Sequence, residues 1–193
     1  MGDVADIRHH PDNPAAAPRV RFNYKGKHRY VITLPFAKPI PQEEAATGVR
    51  KLLDTLRDSC WSAGFEVLAY CVLPDRFLMV ARGEREDADM RAFLRTFRAA
   101  ASAVLAPAAG RSLWQRKYLE RVLRKHELTS TIASGIFREA VKARLAKRVE
   151  DYPYLGSFAF PRERSGRVKF WDQEGAGHKE RGGEGKGRGA ARR

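Results

Sequence analysis

The chain has 193 residues, 43% of them apolar, enough for one domain of ordinary size with a packed core. No apolar run reaches the length of a membrane span, and the opening MGDVADIRHHPDNPAAAP lacks the apolar stretch of a secretory signal, so a cytoplasmic protein is expected. A net charge of +14 and a pI near 10.2 point to a polyanionic partner, nucleic acid first and an anionic membrane second.

Residues 1–18 hold three prolines and few large apolar side chains, the composition of a disordered arm. His9 and His10 have no third metal ligand near them in the sequence. From Arg19 to Arg29 stand five basic residues and no acid, with Phe22 and Tyr24 interleaved and Tyr30 following. Arg21, Lys25, Lys27 and Arg29 there suit a phosphate backbone, with rings available for stacking; a basic sheet edge that resists aggregation is the alternative. Period-two alternation of Tyr30, Ile32 and Leu34 predicts a first strand over Arg29 to Leu34.

Three prolines between Pro35 and Pro41 mark a loop. A first helix is predicted from about Gln42 to Ser62, with Ala45, Ala46, Val49, Leu52, Leu53, Leu56 and Cys60 on its apolar stripe and Gly64 as its stop. A second strand, Phe65 to Leu73, is read with Phe65, Val67, Ala69, Cys71 and Leu73 pointing one way. Pro74-Asp75 turns the chain into a third strand, Arg76 to Arg82. A second helix over Ala88 to Ala106 is expected to bury Met90, Phe93, Leu94, Phe97, Ala101, Val104 and Leu105, with Arg91, Arg95 and Arg98 off that stripe. LWQRKYLERVLRK is read as a fourth strand, with a helix as the alternative its charges allow, and a third helix from about Glu127 to Val149 carries Leu128, Ile132, Ile136, Phe137, Ala140, Val141 and Leu145. EDYPYLGSF continues as an ordered extension, and Gly175 to Arg193 is a Gly-, Arg- and Lys-rich tail expected to be disordered. Cys60 and Cys71, the only cysteines, form no metal spacing and are expected as reduced core thiols.

The order β-α-β-β-α-β-α implies an α+β, ferredoxin-like fold: an antiparallel sheet, two helices on one face and the other face open. The domain is expected over 19–160, with a basic tail over 161–193. An open, aromatic and basic sheet face also serves RNA-recognition modules, so architecture alone leaves DNA and RNA both open.

Three segments together resemble the single-tyrosine (HUH-type) transposases, in particular their REP-associated branch. AYCVLPDRFLMV, Ala69 to Val80, is similar to the family's AYVxMPNHxHLL. LWQRKYLERVLRKHEL, Leu113 to Leu128, is similar to WQxxYxDRxLRxxxxL. IASGIFREAVKARLAKRVEDYPYLGS, Ile132 to Ser157, resembles YIxxNPVRAGLVxxxxxYPxSS. HRYVITL fits the family's opening strand, so the likeness runs over about residues 19 to 160.

The resemblance implies cleavage of single-stranded DNA by a tyrosine on the last helix, with Mg or Mn held by a His-x-His pair. Here the two histidine positions fall on Arg76 and Leu78, and the nucleophile position on Gly135. Arginine has no lone pair for a metal, leucine has no donor atom, and glycine cannot attack phosphorus. No catalytic residue, metal ligand or cofactor is therefore assigned, and the expectation leans away from an enzyme. Asp75, Glu66 and Glu120 are the carboxylates that could remain near the site.

The partner expected is hairpin or single-stranded DNA, bound without cleavage; an active transposase with unrecognised residues and an RNA-binding module are the alternatives. Arg76 could hold a phosphate directly or be an ordinary surface arginine. Arg111 to Lys125 holds six basic residues against one acid, and Gln115, Arg116, Lys117, Arg121 and Arg124 are its candidate contacts. Arg95 and Arg98 could reach a hairpin stem or form a solvated face. Trp114 is expected in the core.

Overall fold

The structure, a computed structural model, describes residues 22–41, 44–106, 112–162 and 168. The arm over 1–18, Arg21, Gln42, Arg111 and the tail Gly175 to Arg193 lie outside the described residues. In chain order the elements are β1 (Arg29–Pro35), α1 (Ala45–Ala63), β2 (Phe65–Val72), β3 (Arg76–Gly83), α2 (Met90–Leu105), β4 (Leu119–Val122), α3 (Thr129–Lys142), a 3-10 turn (Val149–Asp151) and β5 (Leu155–Gly156).

All strand pairs are antiparallel, in the order β4-β1-β3-β2-β5, which is the expected α+β architecture extended by one short edge strand. β1 and β3 run in full register, with Ile32 opposite Met79 and Leu34 opposite Phe77. These side chains point to one face, where they meet α1 (Val49, Leu52, Leu56) and α2 (Met90, Phe93, Phe97). Phe65, Phe93 and Phe97 stack at 4.6 and 6.3 Å, and Trp114, only 3% exposed, closes that core against Phe36 at 5.0 Å. Each such side chain taken fully out of water contributes about 1.5–3 kcal/mol, which is what holds the two helices down.

Helix ends follow local chemistry. α2 begins after Asp89, whose carboxylate accepts from the backbone N–H of Arg91 and of Ala92, both at 3.0 Å. α1 ends at Gly64 with φ 69°, a left-handed backbone that glycine adopts without strain.

The second face, expected to be open, carries α3 over β2 and β3. Leu78 and Val80 of β3 pack there with Ala133, Ile136, Phe137 and Ala140. Among the described residues, only the part over β1 and β4 is left uncovered, with Leu119 72% exposed and Arg121 beside it. β2 serves both cores because its register shifts between Val67 and Ala69. The extra residue inverts the alternation. Phe65 and Val67 face α1 and α2, whereas Ala69, Cys71 and Leu73 face α3. The sequence expectation that all five point one way is thus corrected. Cys60 and Cys71 are free and buried in different cores, and burial pushes both thiols up to about 12.

Two further boundaries differ. The fourth strand is confined to four residues, with Trp114 reaching only an isolated bridge to Phe36. The third helix stops at Lys142 rather than near Val149. Arg144 takes φ 57°, its N–H bonds Val141 O at 2.9 Å, and Leu145 N–H bonds Ala140 O at 3.0 Å. This pair of reverse bonds is a Schellman stop built on an arginine, at the steric expense of a Cβ in the left-handed region.

Candidate nucleic-acid interface

Period-two alternation on β3 aims Arg76 and Leu78 at α3. Leu78 is 8% exposed and belongs to the apolar cluster beneath that helix. Arg76 donates from Nη1 to Asp75 Oδ2 at 3.0 Å and from Nη2 to Glu139 Oε2 at 3.1 Å. Lys142 Nζ donates to the other oxygen, Glu139 Oε1, at 2.7 Å. Two cations and two carboxylates thus cancel formally. The hydrogen bond from Lys142, and then that from Arg76, hold the Glu139 carboxyl below the usual range, against an opposing effect of partial burial. Gly135 lies one turn earlier on α3 and is exposed; a Cβ there would meet nothing within 4 Å.

The carboxylates singled out in the sequence are engaged separately. Asp75 pairs with Arg76, Glu66 pairs with Arg82 at 2.7 Å, and Glu120 accepts the Tyr24 hydroxyl at 3.0 Å. Among the described residues no three His, Cys, Asp or Glu side chains are grouped to hold a metal ion. Desolvation raises the hydroxyls of Tyr30 (to about 12), Tyr70, Tyr118 and Tyr152. Tyr152 donates to Val72 O at 2.7 Å. Burial thus disfavours the phenolate form of all four.

The basic candidates separate into three groups. Lys25 and Lys27 are exposed near the start of β1, and Lys27 pairs loosely with Glu86 at 3.4 Å. Arg29, Arg121 and Arg124 gather where β4 leads into α3. Arg29 is structural: it donates to Thr129 Oγ1 at 2.9 Å and to Arg124 O at 3.0 Å, tying the first strand to the head of α3. Arg121 reaches both oxygens of Glu127 at 2.7 and 2.9 Å, and Glu127 also accepts from the Arg124 backbone N–H at 2.7 Å. The Arg124 side chain is exposed.

The third group lies on the opposite side of the sheet, between α2 and the segment before β4. Gln115, Arg116 and Lys117 are exposed there, with Gln115 Nε2 bonded to Phe36 O at 3.2 Å. Arg98 Nη2 donates to Gln115 O at 2.7 Å, and Trp114 Nε1 donates to Arg98 O at 3.1 Å. Arg95 is exposed and has no hydrogen-bond or ion-pair partner among the described residues. Arg91 joins them, its guanidinium 4.2 Å from the centre of the Tyr24 ring. It was not among the contacts predicted from sequence, although its spacing of four from Arg95 already placed both on one helix face.

The fold so described is shared with a solved transposase. A REP-associated tyrosine transposase bound to a REP hairpin superposes with TM-score 0.60 at 21% identity, covering 70% of this chain and 79% of that one. A candidate transposase from Deinococcus radiodurans matches at 19% identity with TM-score 0.40, over 64% of this chain and 93% of that one. No protein-family model and no curated protein matches the sequence. Among the described residues no helix is long and apolar enough to cross a membrane.

Proposed function

We propose that this chain is a transposase-like DNA-binding protein that holds hairpin or single-stranded DNA without cutting it. One observation carries the reading. Where the resemblance calls for a metal, the space between β3 and α3 holds a charge-balanced Arg76–Glu139 pair and a buried Leu78, and where it calls for a tyrosine, α3 has the exposed Gly135. Those groups do not fit Mg or Mn. Leu78 offers no donor, Arg76 repels a cation, and Glu139 is already shared by two cations. No step is therefore routed through a metal.

The same geometry weighs against Arg76 as a phosphate ligand, because both of its terminal nitrogens already serve carboxylates. Binding falls instead to the exposed cations: Lys25, Lys27, Arg95, Arg116, Lys117 and Arg124. The net charge of +14 supports a polyanionic partner, and the hairpin bound by the structural neighbour supports folded single-stranded DNA in particular.

The test is a gel shift on hairpin, single-stranded and duplex DNA at about 100 mM salt, where phosphate contacts persist. The same hairpin is incubated with Mg²⁺ and Mn²⁺ and resolved under denaturing conditions. Hairpin retention with neither nicking nor a covalent adduct is expected. A protein-linked DNA fragment refutes the non-cleaving reading, and an RNA of equal sequence that outcompetes the DNA transfers the assignment to RNA.

A further inference from the structure

We propose that the cleft between α2 and the segment preceding β4 is a phosphate-binding site. It takes one phosphate group of a nucleic-acid strand, on the side of the sheet away from α3. The cleft measures about 330 Å³ and is lined by Arg91, Arg95, Arg98, Ser112, Trp114 and Tyr118 among others, with no carboxylate in its lining. Arg91, Arg95 and Arg98 recur at spacings of four and three along α2, so their stems rise from one helix face.

The three guanidiniums make no ion pair among the described residues and leave the cleft with an excess of positive charge, unlike the balanced group at Arg76; the acids nearby are Asp89, at the head of α2, and Glu120, on the Tyr24 hydroxyl. Two details make it a shaped site as well as a charged one. The Nε–H of Arg98 is buried and has no acceptor among the described residues, while its Nη2 is pinned by Gln115 O and its guanidinium lies 5.3 Å from the centre of the Tyr118 ring. A buried donor without a partner is costly, and an anionic oxygen in the cleft supplies the acceptor. Arg95, meanwhile, is free to close over whatever occupies the space. Guanidinium forks match phosphate oxygens in pairs, and the ring walls are of the kind that flank a strand's sugar or base.

The nucleic-acid source rests on the reading above, whereas the phosphate chemistry does not. A terminal 5′-phosphate and an internal phosphodiester offer the same oxygens, so the experiment separates them. The full chain, labelled with ¹⁵N at arginine, is titrated with inorganic phosphate while the Nε–H resonance of Arg98 is followed. Single-stranded oligonucleotides with and without a 5′-phosphate are then bound by wild type and by the double variant R91Q/R95Q across a salt series. Arg98 itself is left intact because its side chain holds the Gln115 carbonyl.

A saturable shift of the Arg98 resonance is expected. The double variant should weaken oligonucleotide binding at least about tenfold, the scale of one charge-assisted hydrogen bond. It should also flatten the salt slope by about 0.7 for the one phosphate lost. A deficit confined to the 5′-phosphorylated oligonucleotide assigns the cleft to strand ends, and an equal deficit on both assigns it to the backbone. DNA binding that the double variant leaves unchanged, with an Arg98 resonance indifferent to phosphate, overturns the cleft while the DNA-binding reading stands. Phosphate binding at Arg98 in a protein that binds no nucleic acid supports the cleft and overturns that reading.

Discussion

If Arg76 is a strut between β3 and α3 and not a phosphate ligand, its charge should be coupled to that of Glu139 in stability and almost uncoupled from DNA affinity. A double-mutant cycle with R76Q, E139Q and the pair measures this. At the 3.1 Å separation the bare attraction is about 1 kcal/mol in water's dielectric and about 5 kcal/mol at an effective constant near 20. Desolvation and the ordering of two long side chains offset most of that. With the side chains 34% and 25% exposed, a net coupling of about 0.5–1 kcal/mol is expected. Urea unfolding at pH 7 reads it directly.

The pH dependence has a fixed sign. The Glu139 carboxyl is held low in the folded protein, so its contribution is fully present above the unfolded value near ~4.3 and is lost as pH falls through the lower folded value. The coupling should therefore shrink on acidification, and E139Q should lose less stability than wild type over the same descent. Single variants that add within about 0.2 kcal/mol, together with an R76Q protein of unchanged stability and much weakened hairpin binding, would refute the strut and restore Arg76 as a DNA contact.

Other outcomes are equally specific. Leu78→Ala should cost about 2–3 kcal/mol in urea unfolding, the lower part of the usual range for a buried leucine, because it sits beside the partly exposed Arg76. Arg144→Gly should raise stability by about 0.5 kcal/mol: relief of the left-handed Cβ is worth about 1–2 kcal/mol, and the freer unfolded chain takes back about half to all of the lower figure. A thermal melt that drops instead would mean that the arginine side chain outweighs its backbone strain. Tyr152→Phe removes the 2.7 Å bond to Val72 O and should cost about 1 kcal/mol, with faster amide exchange over residues 149–156 as the local signature.

Much of the scaffold was legible because it is written in short-range patterns. The stripes of α1 and α2, the alternation of β1 and β3, and Gly64 as a stop are all local, and the ferredoxin-like order follows from them. Features set by partners far along the chain were not legible. Arg76 meets Glu139 across 63 positions and Arg29 meets Thr129 across 100, so neither pairing leaves a mark in a window of sequence. The end of α3 was misread because an arginine, not a glycine, takes the left-handed turn there. The fourth strand was overextended because the aromatic residues that suggested it, Trp114 and Tyr118, serve the α2 core and the basic cleft instead. Arg91 stood at the right spacing, but the rings that make its neighbourhood a cleft arrive from another part of the chain.

The irregularity between Val67 and Ala69 gives β2 a phase as well as a position. Its first half is keyed to one helical layer and its second half to the other, and a single surplus residue keeps the two in step. Such a strand tolerates exchange of one apolar side chain for another far better than any change in its length. Dropping one residue there would turn Cys71 and Leu73 away from α3 and lift the floor from under the Arg76 cluster, disabling a face of the molecule without altering one of its charges.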